Sequence, residues 1–121
     1  MKYQQFEIWI ADLHPNFGEE TGKTRPVLIV QSNILNDTGY RSTIICPFST
    51  KTRNRITILR VNVETGESGL NAPSAVMIDE IRAIDNRRFI KKIGDLPQHL
   101  KSTVAENIAN ILDLDSFRQK E

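Results

Sequence analysis

Thr24-Arg25-Pro26-Val27-Leu28-Ile29-Val30 is the stretch on which the fold turns. Residues 27–30 are apolar without a break and mostly β-branched. Such a run does not alternate, so it predicts a strand covered on both faces. Pro26 has no N–H to give a ladder, so it marks the beginning of that strand or an edge. Arg25 therefore stands where a polar, glycine-punctuated loop (Gly18 to Thr24) meets the core. A guanidinium held on a stiff rim presents a fixed fork of donors that suits a phosphate or a carboxylate. The competing reading is an ordinary solvated arginine beside a turn proline.

Working outward, Phe6, Ile8 and Ile10 alternate with Glu7, Trp9 and Ala11, the pattern of a half-buried strand. Residues 14–24 form a long polar loop, and 33–40 a turn-rich connection containing Asn36-Asp37-Thr38-Gly39. Strands are expected at 27–31, 42–48, 56–63, 74–79, 82–84 and 90–96. In the 56–63 stretch the apolar phase slips by one residue, which predicts a bulge near Ile58. Leu100, Val104, Ile108, Ile111 and Leu112 keep helical spacing, so an amphipathic helix is expected over about 98–114, with Pro97 at its first turn. Many short strands and one terminal helix predict a small antiparallel β-barrel with a helix packed beside it. The large Trp9 and the apolar helix face suit that core first and a subunit interface second.

At 121 residues, one domain is expected over 1–121. The 39% hydrophobic and 26% charged content fits an ordinary soluble domain. No apolar run approaches a membrane span, and residues 1–5 lack the apolar segment of a secretory signal. A single cysteine, Cys46, fits a reducing cytoplasm and a buried packing role. Net charge is only +1, which excludes a basic coat for long nucleic acids. Its distribution is uneven. Lys23, Arg25, Arg41, Lys51, Arg53, Arg55 and Arg60 lie in a stretch whose one acid is Asp37. Arg82, Arg87, Arg88, Lys91 and Lys92 form a second basic run. A local basic face on a nearly neutral protein suits a short polyanion. His14 and His99 have no neighbouring His or Cys, so no metal site is expected, and there is no phosphate-cradling glycine loop.

Phe6-Glu7-Ile8-Trp9-Ile10-Ala11-Asp12-Leu13, Gly18-Glu19-Glu20 and the opening stretch from Thr24 resemble the beginning of the MazF/PemK/Kid family of toxin endoribonucleases. Cys46-Pro47-Phe48-Ser49-Thr50 is similar to that family's Pro-apolar-Thr/Ser strand end. Asp79-Glu80-Ile81-Arg82-Ala83-Ile84-Asp85, followed by Arg88, is similar to its acid-Gln-x-Arg-Thr-Ile-Asp segment. The resemblance runs from about Phe6 to about Leu112. It implies an SH3-like barrel, a homodimer, a cognate antitoxin, single-stranded RNA as substrate and no cofactor.

By the same resemblance Arg25 matches the catalytic arginine, Ser49 an active-site threonine, and Asp79 an acid used by some members. Thr50 is the alternative hydroxyl if the loop register differs by one. Glu20 matches a family glutamate able to orient Arg25, and Asn36 an asparagine able to read a base edge. The basic loop with Lys51, Arg53 and Arg55 is expected to meet the RNA backbone. Kid-like members carry histidine where this chain has Glu19 and arginine where it has Met77, so their acid–base scheme does not transfer whole. The chemistry asks little of the protein, because RNA carries its own nucleophile, the 2′-hydroxyl. Orienting that group and stabilising phosphoryl charge suffice. Two other readings remain open at this level: a non-catalytic toxin similar to the CcdB gyrase poisons, and an RNA-binding barrel that does not cut.

Overall fold

A computed structural model describes residues 2–15, 17–18, 23–51 and 58–119. Its elements are β1 (Glu7–Asp12), β2 (Thr24–Ile29), α1 (Asn33–Asn36), β3 (Ser42–Ser49), β4 (Arg60–Val63), β5 (Ser74–Met77), β6 (Arg82–Asp85), β7 (Phe89–Asp95) and α2 (Gln98–Leu112). The strands pair antiparallel in the order β4-β5-β3-β2-β1-β7, with β6 on β3. β3 organises this sheet. One edge meets β2 through Ile45 to Pro47, while the other meets β6 first and then β5 at Phe48 and Ser49. No ladder joins β4 to β7 among the described residues, so the expected barrel is an open sheet rather than a closed ring.

The opening stretch behaves as its lack of alternation requires. Val27, Leu28 and Ile29 are all fully buried. Leu28 points into a cluster with Ile8, Phe48, Val76 and Val104, whereas Val27 and Ile29 point into another with Tyr3, Trp9 and Phe89. The second cluster also explains β1. Ile8 and Trp9 are both buried, so this strand is covered on two faces rather than half-buried. The indole N–H of Trp9 donates to Glu7 Oε1 at 2.9 Å, and the ring packs 5.0 Å from Tyr3 and 5.5 Å from Phe89. Helix α2 closes the first cluster with Leu100, Val104, Ile108 and Ile111, while Leu112 at its end is left exposed. Pro97 is the N-cap, and Asp113 ends the helix in the left-handed conformation with its N–H on Ala109 O.

Two local expectations change. Ile58 and Leu59 lie in a turn and β4 begins only at Arg60; the first part of the expected 56–63 strand lies outside the described residues. Residues 33–36 of the turn-rich connection close one helical turn, capped by Ser32 Oγ on the Ile34 N–H. Cys46 is buried in the first cluster, where burial pushes its thiol up to about 12, helped by the Asp79 charge. It is a protonated packing group at neutral pH. No helix among the described residues is long and apolar enough to cross a membrane.

Candidate active site

The register of β2 and β3 pairs Val27 with Pro47. Two residues further along, Arg25 falls beside Ser49. The guanidinium of Arg25 is half-buried, and its Nη1 donates to the Phe48 carbonyl at 3.1 Å. That carbonyl belongs to the peptide linking Phe48 to Ser49, so the two functional groups share one anchor. Burial lowers the Arg25 pKa somewhat, and the Glu80 charge opposes the shift. The Ser49 hydroxyl accepts the Lys51 N–H at 3.1 Å in a side-chain turn, which leaves its hydrogen for a ligand.

Arg25 and Ser49 open onto a cavity of about 790 Å³. Its lining carries five cations, Lys23, Arg25, Lys51, Lys91 and Lys92, and no carboxylate among the described residues. In a chain of net charge +1, that is a local field suited to an anion. Thr50 lines it too, and is exposed. The far wall is the 64–73 loop, which the sequence reads only as a polar connection with Gly66 and Gly69 and no role in the site; it contributes Gly69, Leu70, Asn71 and Ala72. Ser68, fully buried, ties the loop to itself by donating to Glu64 O at 2.6 Å and accepting the Leu70 N–H at 3.2 Å. Gly69 and Gly94 bring it against β7, since a Cβ at Gly69 would fall 1.9 Å from Ile93 O and one at Gly94 2.3 Å from the Ser68 backbone. The signal available beforehand was Gly69 in a polar loop followed by Gly94 inside a strand, where a bare backbone marks close approach.

The remaining sequence candidates sit elsewhere. Asp79, in the turn Ile78–Glu80, does not line the cavity; it pairs with Arg60 Nη1. Its neighbour Glu80 is the acid whose charge reaches Arg25. Asn36 also lies outside the cavity. Its amide donates to Gln31 O at 2.9 Å and its carbonyl accepts from Gln31 Nε2 at 2.8 Å, which holds α1 onto the end of β2. Glu19, Glu20, Arg53 and Arg55 lie outside the described residues. No group of three or more His, Cys, Asp or Glu residues that could hold a metal occurs among the described residues.

The Arg60–Asp79 pair gives a first expected result. The Arg60 side chain is 14% exposed, against 39% for Asp79. Its Nε is buried without a hydrogen-bond partner among the described residues. Asp79→Asn should therefore cost about 1–2 kcal/mol of stability, less than a fully buried pair because water reaches the carboxylate. The urea midpoint measures this. A cleavage rate lowered more than a hundredfold at unchanged stability would put Asp79 in the reaction instead.

A family model for the PemK-like, MazF-like toxin of type II toxin–antitoxin systems matches residues 4–112. The chain belongs to that family. It is 32% identical over 114 residues to endoribonuclease MazF of Staphylococcus epidermidis, covering 92% of each chain. It is 29% identical over 114 residues to endoribonuclease EndoA of Bacillus subtilis strain 168, covering 92% of this chain and 95% of the relative. The solved structure of Mycobacterium tuberculosis toxin MazF-mt6 superposes with a TM-score of 0.72 at 29% identity, over 88% of this chain and 96% of that one. The match to that family thus extends over the seven strands of the described residues and α2, which ends at Leu112.

Proposed function

We propose that this chain is a sequence-selective, ribosome-independent endoribonuclease, the toxin of a toxin–antitoxin pair, acting on single-stranded RNA in the cytoplasm as a homodimer. The observation that carries the reading is the Arg25–Ser49 pair at one side of a cavity lined by cations and, among the described residues, by no carboxylate. The endoribonuclease relatives support it. In the reaction, the 2′-oxygen bonds to phosphorus, the bond to the 5′-oxygen breaks, the 2′-hydroxyl loses its proton and the 5′-oxygen gains one. The products are a 2′,3′-cyclic phosphate and a 5′-hydroxyl. Arg25 stabilises the charge that grows on the phosphoryl oxygens, and Ser49 donates to one of them. Both are preorganised, Arg25 by Phe48 O and Ser49 by the Lys51 N–H. An acidic antitoxin segment laid along the same cations would exclude RNA, and its binding would speed up at low salt.

The deciding experiment incubates purified protein with a long RNA in excess chelator. Cleavage to cyclic-phosphate ends is expected, and 2′-deoxyribose at the scissile nucleotide should abolish it. Efficient cutting of that deoxy substrate would sink the mechanism. Intact RNA that shifts on a gel would favour a non-cutting RNA-binding barrel. Intact RNA without a shift, together with gyrase inhibition, would favour a CcdB-like poison.

A further inference from the structure

Lys91 and Lys92 are adjacent in sequence but not in circumstance. Lys92 is committed to two carboxylates, Glu7 at 3.3 Å and Asp95 at 3.2 Å. Lys91 is exposed, lines the cavity and makes no ion pair among the described residues. It sits opposite Ile10 of β1, which sits opposite Pro26 of β2. Directly paired residues share a face, so Pro26, Ile10 and Lys91 form one row along the cavity floor. Arg25 reaches toward β3 at the other side of the same cavity. Two ladder spacings separate Arg25 on β2 from Lys91 on β7, about 10 Å of backbone. The two cations leave from strands two apart, so each can take a phosphate of its own. Asn71 stands on the wall the loop makes beside Lys91's strand, exposed, with the loop held against β7 at Gly69.

We propose that Lys91 and Asn71 form a second nucleotide subsite: Lys91 takes a backbone phosphate next to the scissile one, and Asn71 hydrogen-bonds the base carried there. The inference rests on the RNA-cleaving reading. A cavity of about 790 Å³, near the upper end for drug-sized ligands, has room for more than the scissile group. The two residues differ in what they confer. A phosphate contact strengthens binding of every sequence, whereas an amide on a base edge discriminates.

The test titrates salt against binding of a short RNA made uncleavable by 2′-deoxyribose at the scissile nucleotide. Lys91→Gln should weaken binding roughly 5- to 20-fold and flatten the log–log salt slope by about 0.7, the loss of one single-strand phosphate contact. Lys91→Arg should retain the slope, and so should Lys2→Gln, which removes an exposed charge outside the cavity. Asn71→Ala should relax the cleavage preference at one base position by roughly fivefold or more. Wild-type affinity and slope in Lys91→Gln, with wild-type protein still cutting RNA, would overturn the subsite alone. An unchanged base preference in Asn71→Ala would remove the base-reading half. Wild-type protein that neither binds nor cuts RNA would overturn the functional reading and the subsite together.

Discussion

Replacing Arg25 with alanine should lower the rate of RNA cleavage by roughly a hundredfold or more, the scale of losing one preorganised donor to transition-state charge. The fold should survive, because Arg25 is only half-buried at the open end of β2 while the three residues after Pro26 carry the core. Arg25→Lys should rescue poorly. A guanidinium is a planar fork of five N–H donors, and here Nη1 holds Phe48 O, whereas one ammonium cannot hold that carbonyl and a phosphoryl oxygen in the same geometry. Ser49→Ala should lose activity, and Ser49→Thr should keep it, since the hydroxyl and its bond from the Lys51 N–H survive. In the proposed mechanism the two groups act on one phosphate, so the double variant should be little worse than the poorer single one. Initial rates on one defined RNA, with circular dichroism as a folding control, decide this. A folded Arg25→Ala protein cutting near the wild-type rate would move the centre elsewhere, with Asp79 next to be tried.

Gly69→Ala should be the most damaging single-methyl change outside the apolar core. Gly69 has φ +73°, where a side chain is strained, and its Cβ would fall 1.9 Å from the Ile93 carbonyl oxygen. Backbone stands in the way, so no side chain can swing aside to relieve the clash. Strain and clash together should cost on the order of 3 kcal/mol or more. The loop would lift from β7 and take the cavity's far wall with it, so RNA binding should weaken even in the fraction that folds. Gly66→Ala is the control in the same loop. It is strained too, at φ +107°, but nothing lies within 4 Å of its added carbon, so its cost should be clearly smaller. Urea midpoints of the two variants measure the difference. Equal midpoints would mean that the approach to β7 contributes nothing.

Much of the fold was legible because burial leaves periodic marks. The unbroken 27–30 run demanded cover on both faces, and the structure supplies two apolar clusters for it. The helical spacing of Leu100, Val104, Ile108 and Ile111 placed α2 to within two residues. The reading of β1 failed on a global matter. Trp9 was expected in the core and is there, but the strand was read as half-buried, and only the arrival of Tyr3 and Phe89 supplies the cover for its second face. The break at Ile58 and Leu59 was read as a bulge in one strand because apolar residues in a turn look the same as apolar residues in a ladder.

The candidate site divides along the same line. Sequence by itself determined which groups stand on the rim of β2 and at the end of β3, because Arg25-Pro26 and Pro47-Phe48-Ser49 announce their places through local backbone chemistry. Tertiary structure alone decided that Arg25 shares an anchor with Ser49, that Asp79 goes to Arg60 and Asn36 to Gln31, and that Lys91 faces the cavity while Lys92 is bound to carboxylates. The reason is physical. Backbone preferences and apolar periodicity act over a few residues and are written in the chain. A polar side chain's partner is chosen by strand register and by the approach of remote loops, and no local rule reaches that far.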